Sequence, residues 1–109
     1  MEIKFPKKLK IGCYNFKVVT NPKEGGGSFN FGEGTITIGT RYLKEDPDSV
    51  FNVICHEVLE ATHCATNTRY RDPSTGDNYK FFMDHKEFEN NTMLFSIAIQ
   101  NFIKWNGDN

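Results

Sequence analysis

Nowhere does this chain carry the roughly 18 consecutive apolar residues that a membrane-crossing helix requires. Its opening run, Met1-Glu2-Ile3-Lys4-Phe5-Pro6-Lys7-Lys8, also lacks the apolar segment of a secretory signal. Cysteine is scarce and odd in number. Cys13, Cys55 and Cys64 make no disulfide framework, and a reducing cytoplasm is the expected setting. Neither charge dominates: 13 basic side chains meet 14 acidic ones for a formal net charge of −1. No bulk attraction therefore draws the chain to nucleic acid or to a membrane surface. Repeats, low-complexity tracts and linkers are missing too, so the 109 residues are expected to form one domain, 1–109, around one modest core.

Aromatic residues, by contrast, are plentiful. They make up 14% of the chain, ten of them Phe, within an apolar fraction of 38%, a globular rather than a disordered composition. Leu9-Lys10-Ile11 and Tyr14-Asn15-Phe16-Lys17-Val18-Val19 flank a tight turn at Gly12-Cys13. After Gly25-Gly26-Gly27 come Ser28-Phe29-Asn30-Phe31 and Thr35-Ile36-Thr37-Ile38, joined by Gly32-Glu33-Gly34. This patterning predicts an antiparallel sheet of about four short strands. The glycines do not make a phosphate loop, because the closing Lys-Ser/Thr is missing and no helix follows the strand.

Asp46-Pro47 then marks a helix start, with Asp as cap and Pro in the first turn. Up to about Cys64, Val50, Phe51, Ile54, Val58, Leu59 and Ala61 recur at helical spacing, while Ser49, Asn52, His56, Glu60 and His63 take the opposite side. A β-hairpin is expected from Thr68-Arg69-Tyr70-Arg71 and Asn78-Tyr79-Lys80-Phe81-Phe82-Met83 around the turn formers 72–77. A last helix starts near Asp84, with Glu87 spaced for a capping box, an inward stripe of Phe88, Thr92, Phe95, Ile99 and Phe102, and a stop near Gly107. The fold class is α+β.

The chemistry gathers in Ile54-Cys55-His56-Glu57-Val58-Leu59-Glu60-Ala61-Thr62-His63. Two ligands four residues apart lie one helical turn apart on one face, so His56 and Glu60 can grip one ion together. The zinc-protease signature has His at both gripping positions and uses the Glu after the first as general base. Here Glu60 replaces the second His, and a two-His, one-carboxylate set then asks for another histidine. His85, at the head of the last helix's stripe, is the preferred third ligand. His63 is the alternative, although three ligands from one straight helix wrap a tetrahedral ion poorly. Cys64 borders the polar face as a lesser donor, and Cys55 belongs to the core. Arg69 and Arg71 are expected to solvate the hairpin.

The segment His56-Glu57-Val58-Leu59-Glu60-Ala61, followed at a distance by His85-Lys86-Glu87-Phe88-Glu89, resembles a family of small phage and prophage proteins. In these, a His-Glu-x-x-Glu or His-Glu-x-x-His helix precedes a His-x-Glu-Phe-Glu helix, and they look like minimal zincin-type metallopeptidases. The resemblance implies metal ligands at His56, Glu60 and His85 and a catalytic base at Glu57. Glu87 and Glu89 match the motif without an assigned role. A zincin-like arrangement, a Zn2+ ion or another divalent transition metal, a peptide or protein substrate, and the host cytoplasm follow as expectations. By analogy with larger zincins, the Thr35-Thr37 strand is the edge against which an extended peptide would lie. Two other classes stay open: a non-catalytic protein whose metal is structural and which binds a partner protein, and a non-haem iron enzyme using the same donor set.

Overall fold

The computed structural model describes residues 2–71 and 79–104. A two-residue strand, Glu2–Ile3 (β1), leads to Lys8–Ile11 (β2) and Tyr14–Asn21 (β3), joined across Gly12 at φ +61°. Gly27–Asn30 (β4) and Thr35–Gly39 (β5) follow. Alternation does what the sequence promised: Leu9, Ile11, Phe16, Val18, Ile36 and Ile38 all turn to one buried face.

The sheet order is β2-β3-β5-β4, and here the expectation of a purely antiparallel sheet fails. β2/β3 and β4/β5 are antiparallel, but β3 and β5 run parallel. Glycine is the cause. Residues 22–26 carry the chain past the end of β5 rather than turning it straight back, and Gly39 N–H donates to the Gly26 carbonyl at 2.6 Å. A Cβ on Gly39 would collide with the Glu24 carbonyl and lie 2.7 Å from that of Gly26, so only glycine admits the crossing. β5 thereby occupies the slot between β3 and β4. The edge strands of this sheet are consequently β2 and β4, whereas the Thr35-Thr37 segment is interior.

Pro47–Ala65 (α1) begins where expected, with Asp46 Oδ1 accepting the Ser49 N–H at 3.3 Å. Arg69–Arg71 (β6) and Tyr79–Phe81 (β7) pair antiparallel as the predicted hairpin, while its turn lies outside the described residues. His85–Ile99 (α2) opens with the anticipated capping box: Asp84 Oδ1 accepts from Glu87 N at 2.8 Å, and Glu87 Oε1 accepts from Asp84 N at 3.1 Å. This helix ends early. A tight turn at Gln100–Phe102 plants Phe102 in the core, edge-on to Phe5, and Ile103–Lys104 (β8) pairs with β1. Gly107 lies outside the described residues.

Val50, Ile54, Val58 and Ala61 of α1 meet the buried sheet face, and Ala98 and Phe102 join the same core cluster. Two phases differ from expectation. On α1, Leu59 is exposed and His63 buried. On α2, the inward line runs Asn91, Leu94/Phe95, Ala98 and Phe102, so Phe88 and Thr92 face outward. The reason is that Asn91, whose amide nitrogen is hydrogen-bonded while its Oδ1 is buried without a partner among the described residues, takes the position a Phe stripe would claim. Among the described residues no helix is long and apolar enough to cross a membrane.

Candidate metal centre

His56, Glu57 and Glu60 project from the middle of α1, and one ligand atom from each lies within 4.8 Å of the others. His56 Nε2 and Glu60 Oε2 stand 4.0 Å apart, one helical turn from each other. Donors bonded at about 2 Å to a shared ion sit roughly 3–4 Å apart, so the group could hold a metal ion with only small side-chain adjustment. His56 is exposed, Glu60 half-buried and Glu57 buried at 5% exposure.

The burial of Glu57 is a product of β4. A Cβ on Gly27, the first residue of that strand, would come within 3.2 Å of Glu57 Cγ and 2.8 Å of Val53 Cγ1. Glycine is therefore what lets the helix settle against the sheet edge at this point. Burial pushes the Glu57 carboxyl above its ordinary range; His56 pulls it back, Glu60 adds to the rise and Arg69 opposes it.

Arg69 belongs to the site rather than to a solvated hairpin. Its guanidinium stacks 3.6 Å from the centre of the Tyr79 ring, and Nη1 donates to Cys64 Sγ at 3.0 Å. Burial pushes the Cys64 thiol up while Arg69 draws it down. Cys64 is thus engaged with Arg69 and outside the His/Glu group. Cys55 is half-buried, and of the Arg71 side chain nothing is described.

One turn beyond Glu60 the helix stops in a way that organises a second polar cluster. Asn67 adopts φ +59°, Asn67 N–H donates to Cys64 O, and Thr68 N–H donates to His63 O at 2.9 Å. These bonds define a Schellman C-cap, with Asn supplying the left-handed residue. The reversal returns Thr68 to the helix, where its Oγ1 meets His63 Nδ1 at 2.8 Å. From α2, Asn91 Nδ2 reaches His63 Nδ1 at 3.2 Å and Thr68 Oγ1 at 3.1 Å. All three residues are buried. His63 also packs against Phe81 and, with His56, Leu59, Glu60 and Phe81, lines a pocket of about 230 Å³.

Burial lowers the His63 pKa from its ordinary 6.5. As pH falls below that value, the unfolded chain takes up a proton that the folded imidazole refuses, so stability is lost toward acid. The slope approaches at most about 1.4 kcal/mol per pH unit. Chemical denaturation between pH 7 and 5 should show this loss, and His63→Gln should flatten it. An equal acid slope in the variant would remove His63 as its source.

His85 is not part of the His56–Glu57–Glu60 group. It sits at the first position of α2 with its side chain 83% exposed, and its Nδ1 faces Glu89 Oε1 at 3.5 Å. The inward orientation expected for it fails because the Phe88 stripe it was to extend faces outward. Glu87 completes the capping box with the N-cap Asp84, and Glu89 is the partner of His85. The chain matches no family model, no curated protein and no solved structure. Its likeness to the small phage metallopeptidases thus rests on the motif residues and the pattern of short strands before them.

Two participants escaped the sequence reading. Thr68 was legible in principle, since Thr66-Asn67-Thr68 at the end of a periodic helix is a C-cap signal. Asn91 carried no signal beyond its seven-residue spacing from Ala98.

Proposed function

We propose that this protein is a zinc-dependent hydrolase, a peptidase of the small zincin-like type whose motif it resembles. The observation that carries the reading is Glu57, a buried glutamate with a raised pKa set beside a His/Glu donor pair on the same helix. A structural ion has no need of such a group, whereas a general base is helped by a pKa brought toward neutrality.

Zinc, when bound, would supply a Lewis acid and bring the pKa of water toward neutrality. His56 Nε2 and Glu60 would hold the ion. Glu57 would accept the proton of the attacking water and return it to the leaving group. β4, the sheet edge beside Glu57, offers free backbone donors and acceptors to an extended peptide. The apolar pocket between Leu59 and Phe81 would receive one of its side chains. His85 is proposed as third ligand: its exposed ring meets the side chains of Glu89 and Phe88 on its own helix, and Phe81, four residues earlier, lines the pocket of His56 and Glu60.

Calorimetric titration with zinc tests this assignment. Wild type should take up one ion, and His56→Ala and Glu60→Ala should each weaken binding by about a hundredfold or more, with His85→Ala comparable. No uptake by wild type, or equal affinity in His56→Ala, would end the metal reading. Equal affinity in His85→Ala would pass the third position to another donor.

A further inference from the structure

His63 is buried beside the donor pair, yet the role assigned to the pair leaves it unused. The polar groups around it favour one ring nitrogen as the site of the proton. Asn91 presents its amide nitrogen to Nδ1 at 3.2 Å and to Thr68 Oγ1 at 3.1 Å. With the amide nitrogen turned toward the ring, Nδ1 is an acceptor, because two N–H donors cannot face each other; the Thr68 hydroxyl, 2.8 Å from Nδ1, also lies 3.3 Å from the His63 carbonyl, and Asn91 Oδ1 is buried without a partner among the described residues. The proton then resides on Nε2. With Nδ1 anchored toward α2 and the ring wedged against Phe81, Nε2 is the nitrogen left for the pocket that His63 shares with His56 and Glu60. A protonated Nε2 has no lone pair for a metal, which separates His63 from the ligands.

We propose that His63 is an oxyanion donor: its Nε2–H hydrogen-bonds the carbonyl or anionic oxygen of a substrate held at His56 and Glu60. The inference rests on the hydrolase reading and names a further residue of that site. A neutral imidazole, fixed in tautomer by groups from two other segments and drawn away from water, is suited to charge that develops in a transition state, because no reorganisation is needed when the charge appears. Its lowered pKa keeps it neutral at pH 7, as this role requires. Asn91 and Thr68 act as positioning residues, since they touch the ring and not the substrate. They also account for a buried asparagine in the middle of an otherwise apolar helix face.

The test uses the zinc-loaded full chain, with acetohydroxamate as a small oxyanion probe. Nitrogen-15 spectra of the wild-type histidines should show His63 protonated at Nε2 and not at Nδ1, with the Nε2 signal moving on addition of acetohydroxamate. His63→Phe, which keeps a ring against Phe81, should leave zinc affinity unchanged and weaken acetohydroxamate about ten- to a hundredfold. His63→Gln, which retains an N–H donor, should recover most of that loss. A proton on Nδ1, a collapse of zinc affinity in His63→Phe, or unaltered acetohydroxamate affinity would each overturn the proposal. Should His63→Phe fail to fold, the wild-type spectra decide. Failure of wild type to bind zinc sinks the hydrolase reading and this inference together; zinc uptake with unaltered probe affinity sinks this inference alone.

Discussion

Glu57→Gln is expected to keep the metal and lose turnover by about two to four orders of magnitude, the usual contribution of a positioned general base. The amide matches the carboxylate in shape and cannot take a proton. The same substitution should raise the melting temperature of the metal-free protein at pH 7. Because burial lifts the Glu57 pKa above 4.5 in the fold, the unfolded chain releases this proton first as pH rises, and the native state is progressively disfavoured. Glutamine removes that cost, so the stability gap should be widest near neutrality and close below pH 4.5. Two measurements decide it: hydrolysis of quenched fluorescent peptides, and melting curves without metal. A variant that sheds its zinc would make Glu57 a ligand, and one that cleaves at the wild-type rate would free it of any catalytic role.

Zinc itself should shift stability on a comparable scale. An ion that binds only the folded chain stabilises it by about 2.7 kcal/mol at a hundred times its dissociation constant. For a domain of this size that is roughly 10–20 °C in melting temperature. His56→Ala should abolish the shift, because Glu60 and His85 alone leave two donors from separate helices, too few to hold zinc tightly. A shift retained by His56→Ala would locate the ion elsewhere, whatever its effect on wild type.

How far the sequence revealed this molecule depended on what each residue had for neighbours. Strands with strict alternation, such as Lys8–Ile11 and Thr35–Gly39, were legible because the period of two fixes the buried face. The starts of both helices were legible because Asp46-Pro47 and Asp84…Glu87 are local chemistry. The pairing of β3 with β5 was not, since strand partners depend on how 22–26 cross the sheet end, and the decisive residue, Gly39, lies in no turn. Helix phase misled where a polar residue was satisfied from afar. Asn91 reads as surface until its amide finds His63 and Thr68, and Phe88 reads as core until that happens. In the candidate site, His56, Glu57 and Glu60 came from spacing within a single helix. His63 carried the same spacing, but its burial depended on a cap and a second helix.

The insertion of β5 between β3 and β4 also orders events in time. Neither neighbour can complete its backbone pairing until residues 35–39 arrive, so the half of the sheet that supports Glu57 forms late and through contacts distant along the chain. Assembly of that half is bound to be slower than that of the β2–β3 hairpin. During synthesis, the cradle for the helix that carries His56, Glu57 and Glu60 is finished only a few residues before that helix begins.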